Sequence, residues 1–285
     1  MKLLRYGPPD REKPGIVIDG QRHDVAAFGE DYNEQFFATD GLARLAAFVR
    51  AQAGLLPVVS DNERLGPPVA RPSKIVCIGL NYSDHADEMG LARPAEPVFF
   101  LKAPSALAGP NDDIIIPRGA EKTDWEVELA VVIGRRAAYV TEAAALDYVA
   151  GYVLHHDVSE RAFQLERGGT WDKGKGCDTF APLGPWLVTP DEIPNPESLR
   201  IWLTVNGQPR QDGTTANLIF GLPFLISYVS QFMTLQPGDV LSTGTPAGVG
   251  MGRQPPQYLR PGDVVELGID HLGSARQVLR AYSPG

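Results

Sequence analysis

Cysteine is scarce in this chain of 285 residues, where Cys77 and Cys177 are the only two. Two cysteines without CxxC spacing exclude a disulfide framework and a cysteine-based zinc site, and so low a content is typical of a reducing compartment. The sequence also lacks an apolar run long enough to span a bilayer, and its first residues lack the apolar core of a signal peptide. We therefore expect a soluble cytoplasmic protein with no membrane partner.

Dense basic tracts are absent as well. The formal net charge is −9, and the lysines and arginines are dispersed along the chain. A nucleic-acid partner is therefore disfavoured. Turn-forming residues are abundant, with 30 glycines and 25 prolines, and this composition favours short strands joined by turns over a helical bundle. We expect an α+β fold that is mainly β.

Chain length and one proline-rich segment indicate two domains. A chain of this length can form one large domain, or a large domain with a small companion. Near the start, short strands flank a hairpin signal at residues 19–20, and a helix is predicted from a cap at Asp40 to about Arg50. Residues 57–72 are rich in proline and mark a boundary. The prediction is a small N-terminal α/β domain at 1–70 and a main domain at 71–285.

The most informative segment is the predicted strand Thr123–Gly134. Its side chains alternate, so Glu126 and Glu128 share one face, and the strand then becomes wholly apolar as it enters a core. Buried like charges repel each other unless a cation or a proton intervenes, and a hard divalent ion with oxygen ligands is a simple solution. A half-buried strand with a solvated polar face gives the same alternation, and the segment alone does not exclude it.

A third carboxylate stands at the end of another apolar strand. Asp157 follows the predicted strand Tyr152–His156, and three carboxylates with waters supply the octahedral oxygen set that Mg²⁺ or Mn²⁺ prefers. His155 and His156 could indicate zinc, but adjacent strand residues point to opposite faces, so at most one could join the same site. A helix is predicted to follow directly, with Asp157 or Ser159 as its cap.

Two other segments carry reactive side chains. His85 and Glu88 are three residues apart, so on a helix they face each other, and a carboxylate beside an imidazole makes it a better base for activating water. Lys175 lies in the glycine-rich segment 168–185, which is predicted to be a flexible loop. A solvated His–Glu pair and a plain surface loop would give the same two patterns.

The glycine-rich segments do not match nucleotide-binding motifs. Gly169 to Lys175 copies the spacing of a P-loop, but Gly176 replaces the required Ser or Thr and no strand precedes the segment. The glycines of residues 235–252 have the wrong spacing for a dinucleotide fingerprint, although their amides could approach an oxyanion or a carboxylate. Between these segments, Leu218–Met233 is predicted to be a long core helix that includes Phe232.

Five segments, in their order along the chain, resemble the fumarylacetoacetate hydrolase family. The resemblance extends from about Ser73 to Leu279. It is carried by Gly79-Leu-Asn-Tyr-Ser-Asp-His85, Asp124-Trp-Glu-Val-Glu-Leu129, His156-Asp-Val-Ser-Glu-Arg161, Gly174-Lys-Gly-Cys-Asp-Thr-Phe-Ala-Pro-Leu-Gly184 and Thr243-Gly-Thr-Pro-Ala-Gly248.

The resemblance implies three groups of site residues. The implied ligands of Mg²⁺ or Mn²⁺, sometimes Ca²⁺, are Glu126, Glu128 and Asp157. The implied catalytic residues are the water-activating His85, its partner Glu88 and the active-site Lys175. The implied substrate contacts are Gln164, Arg161, Thr245 and Gly244. One departure from the family pattern follows the lysine, where Gly176-Cys177 replaces the Ser-Phe that relatives often have.

The resemblance also implies a fold and a reaction. The fold would be a mixed β-roll with flanking helices, assembled as a homodimer or a dimer of dimers. Gln164–Lys175 resembles a narrower branch that includes hydrolases of 2,4-diketo-3-deoxy sugar acids and members often labelled ureidoglycolate lyase. The expected reaction is therefore metal-dependent hydrolysis of a C–C bond in a 2,4-diketo acid. The expected substrate is 2,4-diketo-3-deoxy-L-rhamnonate or the fuconate analogue, which gives pyruvate and a hydroxy acid such as L-lactate.

Two alternatives remain at this stage. The same metal site could carry out an oxaloacetate-type decarboxylation, a keto–enol isomerisation or the cleavage of ureidoglycolate. A non-enzymatic protein could instead use three carboxylates and a metal to hold strands together, although such a protein has no need of a His–Glu pair and a lysine beside them.

Overall fold

The computed structural model describes residues 1–90 and 92–284. The strands are β1 (Lys2–Tyr6), β2 (Lys13–Ile18), β3 (Gln21–Asp24), β4 (Leu65–Gly66), β5 (Ile75–Gly79), β6 (Val98–Lys102), β7 (Leu107–Ala108), β8 (Ile114–Ile116), β9 (Thr123–Asp124), β10 (Val127–Ile133), β11 (Val149–His156), β12 (Ser159–Glu160), β13 (Ala181–Pro182), β14 (Leu187–Val188), β15 (Arg200–Val205), β16 (Gln208–Thr214), β17 (Val240–Ser242), β18 (Val264–Ile269) and β19 (Gly273–Ala281).

Helices are short and lie between the strands. The α-helices are α1 (Glu34–Ala38), α2 (Gly41–Ala51), α3 (Ser83–Glu88), α4 (Arg161–Leu165), α5 (Asp172–Lys175) and α6 (Leu222–Val229). Single 3₁₀ segments are Ala26–Phe28, Pro104–Ala106, Glu142–Tyr148, Pro190–Glu192 and Thr215–Asn217. The predicted class, α+β and mainly β, is confirmed. Within the described ranges, no helix is long and apolar enough to cross a membrane.

A ten-stranded mixed sheet forms the centre of the molecule. Its order is β3-β2-β1-β14-β11-β10-β17-β5-β6, and β4 also pairs with β1. Most neighbours are antiparallel, whereas β17 and β5 are parallel. Because β1 pairs with β14, the N-terminal segment and the rest of the chain share this sheet. The boundary near residue 70 stays a prediction, and the predicted main domain also includes residues 91 and 285, which lie outside the described ranges.

The second large sheet has five strands in the order β16-β15-β18-β19-β8. A tight turn at Asn206-Gly207 joins β15 to β16. A separate two-stranded ribbon is formed by β9, which precedes β10 in the chain, and β12, which follows β11. This small ribbon lies next to the start of β10 and the end of β11, where the carboxylates discussed below are found.

The central strands are buried because they are almost wholly apolar. All seven residues of β10 are buried, including Val131, Val132 and Ile133 at 0% exposure. Its neighbour β11 contains Gly151, where an added Cβ would lie 2.5 Å from the backbone oxygen of Val188. Glycine therefore allows β14 to approach β11 closely. A polar residue in this layer needs a partner.

Three predicted helices differ from the observed ones. The helix predicted for Leu218–Met233 is α6, which stops at Val229, and Phe232 is 59% exposed instead of lying in the core. Asp40 precedes α2 in a left-handed conformation with φ 54°, and its side chain makes no capping hydrogen bond. The helix predicted to start at Asp157 begins after β12, and the Glu160 side chain caps it by accepting from the Ala162 amide.

Candidate metal centre and active site

Three carboxylates meet where β10 begins and β11 ends. Glu126, Glu128 and Asp157 are all buried, and each offers an oxygen within 4.8 Å of the others. The backbone brings them together, because the Asp157 amide donates to the Glu126 carbonyl oxygen at 2.9 Å. The alternation along the strand places Glu126 and Glu128 on one face, as the sequence predicts.

Two cations balance Glu126. Arg161 donates through Nη2 to Glu126 Oε1 at 2.6 Å and through Nε to Asp124 Oδ2 at 2.9 Å. Lys175 Nζ donates to Glu126 Oε2 at 2.7 Å and to Asp157 Oδ2 at 2.8 Å. The lysine therefore bridges two of the three carboxylates. Lys175 is only 2% exposed, so its charge lies in the buried cluster and not in bulk solvent.

A second lysine completes the cluster. Lys102, at the end of β6, donates to Asp157 Oδ1 and to the backbone oxygen of Val158, the latter at 3.0 Å. Its side chain is as buried as that of Asp157. Sequence analysis missed Lys102, although a lysine that closes a strand as apolar as Val98–Leu101 is an available signal, since an unpaired buried ammonium would be costly.

Glu128 is held in a different way. Its Oε2 atom accepts from the hydroxyl of Ser242 and from the Gly244 amide, the latter at 3.1 Å. Ser242 Oγ also lies 2.7 Å from His155 Nδ1. His155 shares a face with Glu128 because the two residues are partners in the antiparallel pairing of β10 with β11. His156 points to the other face, toward Gln277, as the sequence predicts for adjacent histidines.

The electrostatics of the cluster are uneven. Burial alone would raise the pKa of Asp157, but the charges of Lys102 and Lys175 lower this pKa below its ordinary value. Lys175 and Arg161 lower the pKa of Glu126 against the same effect of burial. Burial, together with the charges of Asp157 and Glu126, raises the pKa of Glu128 well above its ordinary value. Glu128 thus favours a proton unless a further cation is present.

The residues fit a hard divalent ion. The donor set consists of three carboxylates, which is the chemistry that Mg²⁺, Mn²⁺ and Ca²⁺ prefer. Within the described part of the chain, Glu128 forms no ion pair with a lysine or an arginine, unlike Glu126 and Asp157. A bound divalent cation would supply the charge that Glu128 lacks. His155 does not indicate zinc, because its Nδ1 atom hydrogen-bonds to Ser242 and the described side chains that group as metal ligands are the three carboxylates alone.

The His–Glu pair lies on the short helix α3. His85 Nδ1 is 3.3 Å from Glu88 Oε2, and both Glu88 oxygens also accept from the Gly248 amide at 3.0 Å. Burial would raise the pKa of Glu88, but the hydrogen bonds from His85 and Gly248 lower it below its ordinary value. An ionised Glu88 accepts a hydrogen bond from Nδ1–H and so leaves the Nε2 lone pair of His85 available as a base.

One cavity is lined both by Glu126 and Glu128 of the carboxylate cluster and by His85 of the His–Glu pair. Its volume is about 300 Å³, and His85, Glu126, Glu128 and Lys175 all contribute to its walls. The predicted substrate contacts Gln164, Arg161 and Thr245 line it as well. Its remaining walls are mainly apolar, with Ile78, Leu80, Met89, Leu165, Trp171 and Met251 among them.

Several of the predicted substrate contacts already have protein partners. Arg161 Nη1 donates to Gln164 Oε1 at 3.1 Å. The Thr245 hydroxyl donates to the Val127 carbonyl oxygen at 2.9 Å and accepts from Gln211. The amide of Gly244 holds Glu128. These groups shape the site, and their contact with substrate stays a prediction.

Lys175 is presented by a helix instead of the predicted flexible loop. It is the last residue of α5, whose four residues pack against α4. A Cβ added at Gly174 would lie 2.4 Å from the backbone oxygen of Glu160, so only glycine allows this approach. The local glycine content predicts a loop, whereas tertiary packing imposes one helical turn.

A buried carboxylate cluster that opens into a cavity beside a His–Glu pair is the arrangement of a metal-dependent enzyme. The chain belongs to the fumarylacetoacetate hydrolase family, because the family model described as fumarylacetoacetate (FAA) hydrolase, C-terminal, matches residues 74–280. The resemblance seen in the sequence is thereby confirmed. A relative in Burkholderia multivorans, named only as a hydrolase, is 56% identical over 283 residues, which is 99% of each chain.

Solved structures agree on the fold. Fumarylacetoacetate hydrolase from Exiguobacterium antarcticum is 35% identical, with a TM-score of 0.85 over 99% of this chain and all of that one. Maleylpyruvate hydrolase from Sphingobium sp. SYK-6, in complex with manganese(II) and pyruvate, is 30% identical, with a TM-score of 0.82 over the same shares. A 2-hydroxyhepta-2,4-diene-1,7-dioate isomerase from Mycobacterium marinum is 30% identical, with a TM-score of 0.75 over both whole chains. The predicted β-roll is confirmed, and family membership supports a metal-dependent hydrolase or isomerase.

Proposed function

We propose that this protein hydrolyses a C–C bond of a 2,4-diketo acid and releases pyruvate. The observation that carries the proposal is the shared cavity, which is lined by Glu126 and Glu128 of the three-carboxylate cluster and by His85 of the His85–Glu88 pair. The reaction needs both parts, because one must accept the charge of an enolate and the other must activate water. The Sphingobium relative, which holds manganese(II) and pyruvate, supports the same product.

The metal would be Mg²⁺ or Mn²⁺, held by Glu126, Glu128 and Asp157. When bound there, the ion supplies Lewis acidity toward the 2-oxo acid end of the substrate and toward the enolate that develops from it. Lys102 and Arg161 hold the outer oxygens of Asp157 and Glu126, so the carboxylates are fixed before substrate arrives. Such preorganisation removes a reorganisation cost from the reaction.

His85 is the proposed general base. Glu88 fixes the Nδ1 proton, and Nε2 removes a proton from water, whose oxygen then bonds to the C4 carbonyl carbon of the substrate. General-base catalysis of this kind typically contributes about 10²–10⁴ in rate. Lys175 lines the cavity and uses two of its three N–H donors on Glu126 and Asp157, so the third can stabilise the C4 oxyanion. One such donor is worth about 10²–10³ in rate.

Bond cleavage completes the reaction. The C4–O⁻ electron pair re-forms a carbonyl, the C3–C4 bond breaks, and its electrons pass to the pyruvate enolate. The proton that His85 took from water returns to C3 and gives pyruvate. The other fragment leaves as a carboxylic acid that carries the water oxygen. One water is consumed, and no oxidant or further reactant is needed.

The cavity supports an uncharged acyl group at the far end of the substrate. Among the described residues, the lysine and arginine side chains that line the cavity are those of Arg161 and Lys175. Both already form ion pairs with carboxylates of the protein. A second substrate carboxylate would therefore be buried among apolar side chains without a partner, which is costly. The lactoyl end of 2,4-diketo-3-deoxy-L-rhamnonate, or of the fuconate analogue, has one methyl and one hydroxyl and fits this environment. L-lactate would then be the second product.

The second candidate is a different reaction on the same site, either keto–enol isomerisation or oxaloacetate-type decarboxylation. Of these two reactions, isomerisation is favoured by the Mycobacterium marinum isomerase among the structural relatives. Ureidoglycolate cleavage belongs to the same group. These reactions need no hydrolytic water. Turnover in ¹⁸O-labelled water separates them, since only the hydrolase places the label in a product carboxylate.

The assembly is also proposed from family resemblance. A cytoplasmic homodimer or dimer of dimers would cover apolar side chains that a single chain leaves exposed, such as Val98, Leu101 and Phe232. Sedimentation of the purified protein at several concentrations tests this, and a monomer at all of them would contradict it.

A panel of 2,4-diketo acids tests the proposed function, with pyruvate measured by coupled NADH oxidation. The panel should hold the 2-oxo acid end constant and vary the far end among acetyl, lactoyl and carboxylate-bearing groups. We expect turnover of the uncharged members and a lower kcat/KM for the dicarboxylates. Folded, metal-loaded protein that releases pyruvate from none of them would contradict the proposal.

A further inference from the structure

The two oxygens of Glu128 are in different situations. Oε2 accepts hydrogen bonds from the Ser242 hydroxyl and the Gly244 amide. Both of its lone pairs are therefore used by the protein. Since Glu128 also contributes an oxygen to the carboxylate cluster and to the cavity wall, Oε1 is the atom left for a ligand. The residue is prepared to bind through one oxygen.

The other two carboxylates follow the same scheme. Glu126 has one oxygen held by Arg161 Nη2 at 2.6 Å, and Asp157 has one oxygen held by Lys102 Nζ. In each case the remaining oxygen accepts a hydrogen bond from Lys175, which bridges these two carboxylates. All three carboxylates thus have one oxygen held by an outer donor and one oxygen directed toward the common site.

His155 stands behind Ser242. The Ser242 hydroxyl has a single proton, which it donates to Glu128, so it must accept from the Nδ1–H of His155 at 2.7 Å. All three side chains are at most 1% exposed. Among the described residues nothing bonds to His155 Nε2. Within the described part of the chain, the His155 ring therefore hydrogen-bonds through Nδ1 alone. Its partner there is Ser242, the serine that donates to Glu128.

We propose that Ser242, oriented by His155, restricts Glu128 to one-oxygen coordination and so makes the site prefer Mg²⁺ or Mn²⁺ to Ca²⁺; this inference rests on the proposed metal site. Ca²⁺ takes six to eight oxygens at longer distances and often binds carboxylates through both oxygens. Mg²⁺ demands six oxygens in near-octahedral geometry. A carboxylate that can offer only one oxygen suits the smaller ions. Ser242 and His155 are positioning residues here, since neither lies in the ligand set.

Calorimetric titration of the metal-free protein with Mn²⁺, Mg²⁺ and Ca²⁺ tests the proposal without substrate. We expect wild-type protein to bind Mn²⁺ more tightly than Ca²⁺. In Ser242→Ala, loss of an outer partner should weaken Mn²⁺ binding by about 10- to 100-fold. Ca²⁺ binding should weaken less, because one lone pair of Glu128 Oε2 becomes free for the ion while the Gly244 amide keeps the other. The ratio of the two affinities should therefore fall by about tenfold.

Matched variants separate positioning from general damage. Ser230→Ala removes another buried hydroxyl, one that bonds to the backbone of Val140 and Ser227 far from the cluster, and should leave the ratio unchanged. His155→Asn keeps a donor for Ser242 and should retain most of the preference, whereas His155→Leu should lose it. His156→Leu removes the neighbouring buried histidine, whose partner is Gln277, and should have no such effect.

The outcomes distinguish this inference from the proposed function. Wild-type protein that binds no divalent ion would overturn the metal site itself. Wild-type protein that binds Mn²⁺, with a ratio that Ser242→Ala leaves within about twofold, would overturn only the role of Ser242. Equal shifts in Ser242→Ala and Ser230→Ala would do the same. The role of Ser242 would be established if Ser242→Ala and His155→Leu lose the preference for Mn²⁺ over Ca²⁺ while Ser230→Ala and His156→Leu retain it.

Discussion

Lys102 and Asp157 form an ion pair in which neither side chain has any solvent exposure. The pair ties the end of β6 to the end of β11, strands that are not neighbours in the sheet. A buried pair of this kind is costly to break, because removal of one partner leaves the other charge unpaired in a low-dielectric environment. The stability of the molecule is therefore coupled to the charge of the carboxylate cluster.

Lys102→Met should destabilise the metal-free protein and make its stability depend on metal. The change leaves Asp157 with Lys175 as its only lysine partner, and we expect the free energy of unfolding to fall by about 3–5 kcal/mol. Added Mn²⁺ should restore part of this loss, because a ligand that binds only the folded state stabilises it. Denaturant unfolding with and without Mn²⁺ measures both effects.

Lys74→Met is the matched control for that experiment. Lys74 also donates to a buried carboxylate, Asp239, but this pair lies outside the carboxylate cluster. The variant should lose stability, and Mn²⁺ should stabilise it no more than it stabilises wild type. A larger recovery in Lys74→Met than in Lys102→Met would show that the metal does not act at the cluster.

His85→Ala should lower kcat by about 10² or more without changing metal affinity. The imidazole is the proposed base, and among the described residues its hydrogen bond goes to Glu88 and not to the carboxylates that would hold the ion. Steady-state kinetics and Mn²⁺ titration of the same preparation measure the two quantities. His23→Ala, which removes a histidine bonded only to the Leu56 carbonyl oxygen, is the control. Unchanged kcat in His85→Ala would remove this residue from the mechanism.

Removal of divalent metal should abolish turnover and lower the melting temperature. Ion binding to the folded state alone is worth about 2.7 kcal/mol at a metal concentration one hundred times its Kd. We expect Mg²⁺ or Mn²⁺ to restore both activity and stability after dialysis against chelator. Full activity in excess chelator would contradict the role assigned to the metal.

Gly174→Ala should impair both folding and chemistry. The new Cβ would lie 2.4 Å from the Glu160 carbonyl oxygen, so α5 must shift and carry Lys175 with it. Overpacking of this kind costs about 1–3 kcal/mol, and a shift of about 1 Å at a catalytic group can lower the rate by about 10². Thermal unfolding and kcat measure the two losses. Lys173→Ala, at an exposed position of the same helix, should show neither.

The carboxylate cluster could be predicted because its signals are local. Glu126 and Glu128 share a face through the period of a strand, and Asp157 follows an apolar strand directly. The approach of His85 to Glu88 follows from helical spacing in the same way. What local patterns do not contain is the pairing of β10 with β11, which places Asp157 beside Glu126.

The residues that sequence reasoning missed act over long separations in the chain. Lys102 reaches a carboxylate 55 residues away, and Ser242 reaches one 114 residues away. Neither belongs to a pattern with a short period, so only the tertiary fold brings them to the cluster. For Lys175 a local signal is present but misleading, because its glycine-rich surroundings predict a loop. Close packing of Gly174 against Glu160 produces a buried helical turn instead.

Diffraction from crystals soaked with Mn²⁺ and pyruvate tests the central claim most directly. We expect one anomalous peak among Glu126, Glu128 and Asp157, with the carboxylate and 2-oxo group of pyruvate both in contact with the ion. No peak between these side chains, or a manganese ion there with pyruvate bound elsewhere, would contradict the account.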